Sequence, residues 1–281
     1  MSTSPPQHPR REAPHLERAL GLWSGISLVV GTVIGSGIFV TPSEIARLAG
    51  PWGVGTIVAV WIFCGFLSLA GALSYAELAA MFPQSGGQYV FLREAYGPIW
   101  GFLYGWMEFW VARSGSIATI AVGFATYARH FTAPGAEPEG DGDLRWMALG
   151  LILLLTLVNT LGVRFGGMVQ VAFTVAKTGA LVALVLGACL LPGGSTTNWM
   201  PLFATGQGGV GGWVAVIGAV MIQVLWAYDG WTNGAAVSEE IKEPQRTVPR
   251  ALALGTAGIM AIYVAVVLAY HYLLSVPAVV Q

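Results

Sequence analysis

Charge is what this sequence has least of. Only 10% of its 281 residues are Asp, Glu, Lys or Arg, against about 25% in soluble domains. With 55% hydrophobic residues, there is too little polar surface to cover a soluble core. The formal net charge of −1 leaves no basic footprint, so no nucleic-acid partner is expected. Cysteine is nearly absent. Cys64 and Cys189 lie in separate apolar stretches without a CxxC spacing, which excludes a disulfide framework and a redox motif. Both are expected to be small buried thiols. HExxH and GxSxG are also missing. No catalytic residue, metal ligand or cofactor is expected. The first fifteen residues hold no apolar run, so no cleavable signal peptide is read there. Residues 1–19, rich in Pro, Ser and Arg, read as a disordered tail.

What is present is long apolar runs. A spanning helix needs roughly 20 apolar residues. On that rule seven spans are expected, at 20–47, 55–80, 98–128, 145–163, 167–191, 210–239 and 248–275. The third is long enough to tilt strongly. Arg10, Arg11, Arg18, Arg93, Arg164, Lys242, Arg246 and Arg250 fall on one side; Arg47, Arg129 and Arg145 fall on the other. That excess places the N-terminus in the cytoplasm. Between the second and third spans, Pro83 ends a helix and Gly86-Gly87 allows a tight turn. The following Tyr89, Phe91, Leu92 and Tyr96, alternating with Arg93 and Glu94, suggest a short amphipathic piece at the membrane interface. The loops 132–143 and 192–209 read as loose connections.

The chain is organised around Val30-Gly31-Thr32-Val33-Ile34-Gly35-Ser36-Gly37-Ile38-Phe39-Val40. Glycine inside a helix costs roughly 0.5–1 kcal/mol relative to alanine. Gly35 and Gly37 flanking Ser36 suggest that the backbone leaves helical geometry in mid-membrane, which marks a candidate binding site. Gly31 and Gly35 also form a small-xxx-small spacing, which lets two helices pack closely. From this stretch alone both readings stand. The sixth span carries a second interruption, Trp226-Ala227-Tyr228-Asp229-Gly230-Trp231-Thr232-Asn233-Gly234. If units of five helices repeat, the first and sixth spans correspond. Paired interruptions at corresponding places point to the central site of a transporter.

The chemistry follows from helix ends. A half-helix begins with unpaired N–H groups and the positive end of its dipole, which suit a carboxylate. The preceding half ends in unpaired carbonyls, which suit an ammonium. A zwitterionic α-amino acid presents both. The Gly35-Ser36-Gly37 amides are candidates for the carboxylate; carbonyls near Val33, Trp226 and Asp229 are candidates for the amine.

Thr32-Val33-Ile34-Gly35-Ser36-Gly37-Ile38-Phe39 resembles the first-helix motif of the amino acid–polyamine–organocation superfamily. Thr41-Pro42, Tyr75-Ala76-Glu77-Leu78, Pro83-Gln84-Ser85-Gly86-Gly87, Tyr228-Asp229-Gly230-Trp231 and Glu239-Glu240-Ile241-Lys242-Glu243-Pro244-Gln245-Arg246 resemble its L-type amino acid transporter branch. The resemblance covers 20–275. It implies an all-α polytopic membrane protein with a five-plus-five inverted-repeat fold, of which the first repeat is complete and the second only partly present. It implies a permease domain over 20–281, carrying out sodium-independent transport or exchange of L-amino acids across the cell membrane by alternating access. With the helix-end reading, the candidate substrate-binding set is Val33, Ile34, Gly35, Ser36, Gly37, Ser116, Trp226, Ala227 and Asp229, to which the resemblance assigns the following roles. Ser36 and Gly37 amides would meet the carboxylate, Trp226 would be a gating aromatic, and Ser116 a polar third-span position near the substrate. Lys177 would take the place of a sodium ion. Animal members bond a glycoprotein through a cysteine in the loop after the third span; 132–143 has none, so no disulfide-linked partner is expected. The family usually has twelve spans, so a truncated permease without autonomous transport is an alternative.

Glu108, Arg113, Lys177 and Asp229 are intramembrane charges, which are functional candidates by default. Glu108 and Arg113 lie five apart on one helix and are expected to pair elsewhere. Lys177 is expected to fill a cation site against the first helix and is a candidate for proton coupling. Asp229 either carries a proton or biases the site toward cationic substrates, or it faces away and caps a half-helix. Two other classes fit less well. Gly140-Asp141-Gly142-Asp143 and Tyr228-Asp229 match intramembrane aspartyl protease motifs, but in the wrong order and with one in a polar loop. A seven-helix sensor fits the span count, yet has no need of two broken helices.

Overall fold

A computed structural model describes residues 18, 20–132, 142–160, 163–236 and 238–280. The expected N-terminal tail, most of the 132–143 loop and the first half of the protease-like run lie outside the described residues. Helices α1 (Leu22–Val33) and α2 (Gly37–Ala49) occupy the expected first span. They are followed by α3 (Val54–Met81), α4 (Gln88–Tyr96), α5 (Pro98–Met107), α6 (Ser114–Thr132), α7 (Gly142–Thr160) and α8 (Val163–Leu190). Next come α9 (Gly209–Tyr228), α10 (Asn233–Ala236), α11 (Pro244–Leu273) and α12 (Val276–Val280). The only bridge among the described residues is isolated: Leu20 pairs in parallel with Ile241, tying the start of α1 to the segment before α11.

Among the described residues five helical stretches are long and apolar enough to cross a membrane, and six if α1 with α2, bent by 45°, is counted as one span. That is one fewer than expected. The difference is the 98–128 span, which is helical from Pro98 to Thr132 but divided by a π-helical stretch, Glu108–Arg113. A π-turn bonds residue i to i+5 instead of i+4. The amphipathic piece after the second span is present as α4, entered through Gly86 (φ 120°) and Gly87 (φ 48°), a conformation open to glycine.

The core gathers on α11, which packs against α3, α1 and α8. At its centre three rings meet edge-on or tilted. Trp61 of α3 lies 5.7 Å from both Tyr228 of α9 and Tyr263 of α11, and the two tyrosines are 5.1 Å apart. All three are at most 1% exposed. Such pairs contribute about 0.5–1.5 kcal/mol beyond area burial. By contrast α5, α6, α7 and α8 turn large apolar side chains outward, among them Phe102, Trp106, Phe124, Leu153, Leu157 and Phe173. Lipid tails are as apolar as such side chains, so this face needs no protein cover. Cys64 is buried as expected; Cys189 is not, because it sits on the outward face of α8.

Candidate functional site

The first interruption is a break. α1 closes with the Ile34 amide donating to the Val30 carbonyl at 2.9 Å, then Ile34 (ψ 87°) turns the chain out of helix. α2 restarts at Gly37, and the Ser36 carbonyl accepts from Phe39 and Val40, both at 3.0 Å. No backbone carbonyl among the described residues accepts from the Ser36 or Gly37 amides. They are the orphan donors that a helix start leaves. Gly35 is half-buried and Ser36 exposed, so the turn opens outward.

In an unbroken helix the carbonyls of Gly31, Thr32 and Val33 would bond residues 35 to 37. The break frees them, and other elements partly supply the missing donors. Lys177 Nζ on α8 donates to the Gly31 carbonyl at 2.9 Å. The Tyr263 hydroxyl on α11 donates to the Val33 carbonyl at 3.0 Å. The Thr32 carbonyl faces the second break, where the Thr32 hydroxyl reaches the Gly230 carbonyl at 3.1 Å. Tyr263→Phe keeps the ring packing and removes one donor. We expect it to lower stability by about 1 kcal/mol, read as an earlier thermal unfolding transition in detergent.

The second interruption is also a break. α9 ends at Tyr228, Asp229 is extended (φ −66°, ψ 153°), and Gly230 (φ 117°) turns the chain into one helical turn, α10. The two breaks touch. A Cβ on Gly37 would lie 2.8 Å from Ala227 Cα, and one on Gly230 would lie 2.8 Å from the Thr32 carbonyl oxygen. Close packing and unwinding, the two readings of the Gly31–Gly37 stretch, are therefore both realised. Gly31 packs on Thr174 of α8, where an added Cβ would meet Cγ2 at 3.3 Å, while the chain unwinds beyond it. A groove of about 660 Å³ runs along this α1–α8 contact, lined by Trp23, Ser27, Gly31, Val171 and Thr174.

The expected site residues fall into groups. Val33, Gly35, Ser36, Gly37, Trp226, Ala227 and Asp229 come together at the two breaks. Ile34 is fully buried and Ala227 is 3% exposed against Gly37, so each offers only backbone to a ligand. Trp226 and Asp229 are exposed. The Val33 and Trp226 carbonyls each already accept one bond, the latter from the Asp229 amide at 3.2 Å. Each keeps a second lone pair. The Asp229 carboxylate accepts no hydrogen bond among the described residues, so it caps neither half-helix there. Ser116 is exposed on α6, and no hydrogen bond links it to either break among the described residues.

Glu108 and Arg113 form an ion pair with each other, Arg113 Nε to Glu108 Oε2 at 2.7 Å, and Arg113 Nη2 also reaches Asn233 Oδ1 at 3.1 Å. The expectation assumed α-helical spacing, which puts residues five apart on different faces. The π-turn brings them together, and Ser114 Oγ donates to the Phe109 carbonyl, also five residues back. Sequence reasoning missed Thr32, Tyr263 and Asn233. A hydroxyl in the middle of an apolar span, as in Tyr263, is a signal in itself, because it must find a partner there.

The family model for amino acid permeases matches residues 20–280. The chain belongs to the amino acid permease family. This permease is 37% identical over 268 residues to the human b(0,+)-type amino acid transporter 1, an alignment covering 95% of this chain and 53% of that protein. It is 30% identical over 260 residues to a serine/threonine exchanger of Bacillus subtilis, covering 92% of this chain and 56% of that one. With the human cystine/glutamate transporter the identity is 32% over 264 residues, covering 93% and 51%. The chain thus spans about half the length of the curated relatives it matches. All three are named as transporters or exchangers, not enzymes. The permease is a multi-pass, all-helical membrane protein.

Proposed function

We propose that this permease moves L-amino acids across the cytoplasmic membrane by alternating access, as a secondary transporter or exchanger, without a sodium ion. The observation that carries this reading is the contact between two broken helices, with the Ser36 and Gly37 amides free at the start of α2. The substrate carboxylate sits on those amides. Its ammonium sits on carbonyls at Val33, Trp226 and Asp229. Trp226, exposed beside the breaks, closes over the substrate, and Ser116 reaches it from the third span. Lys177 holds the place of a cation against α1, where its ammonium neutralises the Gly31 end of the half-helix dipole. The Lys242 amide donates to the Leu20 carbonyl at 2.8 Å, and Arg18 and Arg246 line one cleft beside it, a cluster of basic residues in keeping with a cytoplasmic N-terminus. No disulfide-linked partner subunit is required.

Competition binding tests the backbone site. The purified protein in lipid nanodiscs is given a radiolabelled neutral L-amino acid and challenged with its methyl ester and its des-amino acid. Each lacks one of the two charges. Each is expected to compete about tenfold or more weakly than the parent, as losing charge-assisted hydrogen bonds requires. Equal competition by the ester would mean that no amide cradle holds the carboxylate.

A further inference from the structure

A residue outside the substrate set has a defined task. α10 is a four-residue helix, Asn233–Ala236. One turn of helix is not stable alone, because its nucleus costs more than its bonds return. Its position must come from outside: Gly234 and Ala235 are buried, Gly234 against Val29 of α1 and Leu252 of α11, and three further contacts act at its ends. Trp231, just before it, packs edge-on to Tyr75 of α3 at 5.2 Å and lies against Gly71, where an added Cβ would meet the ring at 3.0 Å. At its far end the Gly86 amide donates to the Ala236 carbonyl at 3.1 Å. At its start Arg113 Nη2 donates to Asn233 Oδ1 at 3.1 Å.

The third contact is the charged one, and the fold goes to lengths to aim it. An arginine within a span is costly, and Glu108 offsets its charge through the π-turn. The pair continues into a polar chain. Tyr104 stands one helical turn before Glu108, and its hydroxyl donates to Gln88 Oε1. Gln88 Nε2 in turn donates to the Tyr75 hydroxyl at 2.9 Å. A line of side chains thus runs from α3 and the start of α4, through the third span, to the helix beyond the second break.

We propose that Arg113 is a positioning residue of the site, held by the Glu108 π-turn so that its bond to Asn233 fixes the chain beyond the second break. Its bearing on transport rests on the alternating-access reading, in which that segment is part of the substrate site. Its structural content does not, and the test reads position alone.

The test is hydrogen–deuterium exchange on the purified chain in nanodiscs, comparing Asn233→Leu, Asn233→Asp and Arg113→Gln with the parent. Asn233→Leu removes the bridge without leaving Glu108 unpaired, so it stays informative even where Arg113→Gln does not fold. We expect Asn233→Leu to speed exchange over 229–241 about tenfold, the loss of one hydrogen bond to a charged group, and to leave 54–81 unchanged. Asn233→Asp keeps the acceptor oxygen and retains protection. Adding Arg113→Gln to Asn233→Leu produces no further change over 229–241. Unchanged exchange there in Asn233→Leu, or an equal rise along every span, would overturn the proposal. Neither result requires the protein to carry an amino acid.

Discussion

Replacing Lys177 by alanine is expected to lower amino acid binding at least about tenfold and to remove any pH dependence that transport shows. The argument begins at the first break. Because the chain leaves helix after Val33, the Gly31 carbonyl has no amide partner, and Lys177 Nζ supplies the donor at 2.9 Å. Deleting it leaves a half-buried carbonyl in an apolar span and takes a positive charge from the negative end of a half-helix. A hydrogen bond to a charged group contributes about 1.5–3 kcal/mol, which is about tenfold to a hundredfold in binding. Lys177→Arg keeps the charge but not the compact ammonium, so partial recovery is expected. Binding curves across a pH series on the three proteins decide it. Parent-like binding by Lys177→Ala at every pH would remove the cation-site role.

The second large effect is expected from Gly230→Ala. Gly230 has φ 117°, and an added Cβ would lie 2.8 Å from the Thr32 oxygen, 3.1 Å from its carbonyl carbon and 3.3 Å from Val33 Cα. All three are backbone atoms, so no side chain can swing away. The two breaks must separate. Strain at such a position costs about 1–3 kcal/mol before any packing loss, and we expect a total near 2–4 kcal/mol. Gly218→Ala is the control. It sits on α9 with nothing within 4 Å of a new Cβ, and alanine in a helix interior is favoured by roughly 0.5–1 kcal/mol. Thermal unfolding in detergent should therefore move in opposite directions for the two substitutions. Ligand binding should fail in Gly230→Ala alone.

These two residues show how unevenly the sequence spoke. The break at Gly35-Ser36-Gly37 was legible because glycine pairs are costly in a helix, and that at Asp229-Gly230 because a charge and a glycine interrupt an apolar run. Lys177 was legible as an intramembrane charge. The donors completing the first break were not all visible. Tyr263 lies 230 positions from Val33 along the chain, and only packing of α11 across α1 brings them together. The π-turn was hidden for another reason. Nothing in Glu108-Phe109-Trp110-Val111-Ala112-Arg113 departs from α-helical composition, so the spacing was read at 3.6 residues per turn and the ion pair was missed. Cys189 was misjudged because apolar surroundings in sequence do not separate a core face from a lipid face.

The most direct test of the account is an experimental structure of the protein with a neutral L-amino acid bound. The account predicts the carboxylate within hydrogen-bond distance of the Ser36 and Gly37 amides, and the ammonium among the carbonyls of Val33, Trp226 and Asp229. A ligand seated in the α1–α8 groove beside Thr174, or held by side chains with the Ser36 and Gly37 amides left free, would contradict it.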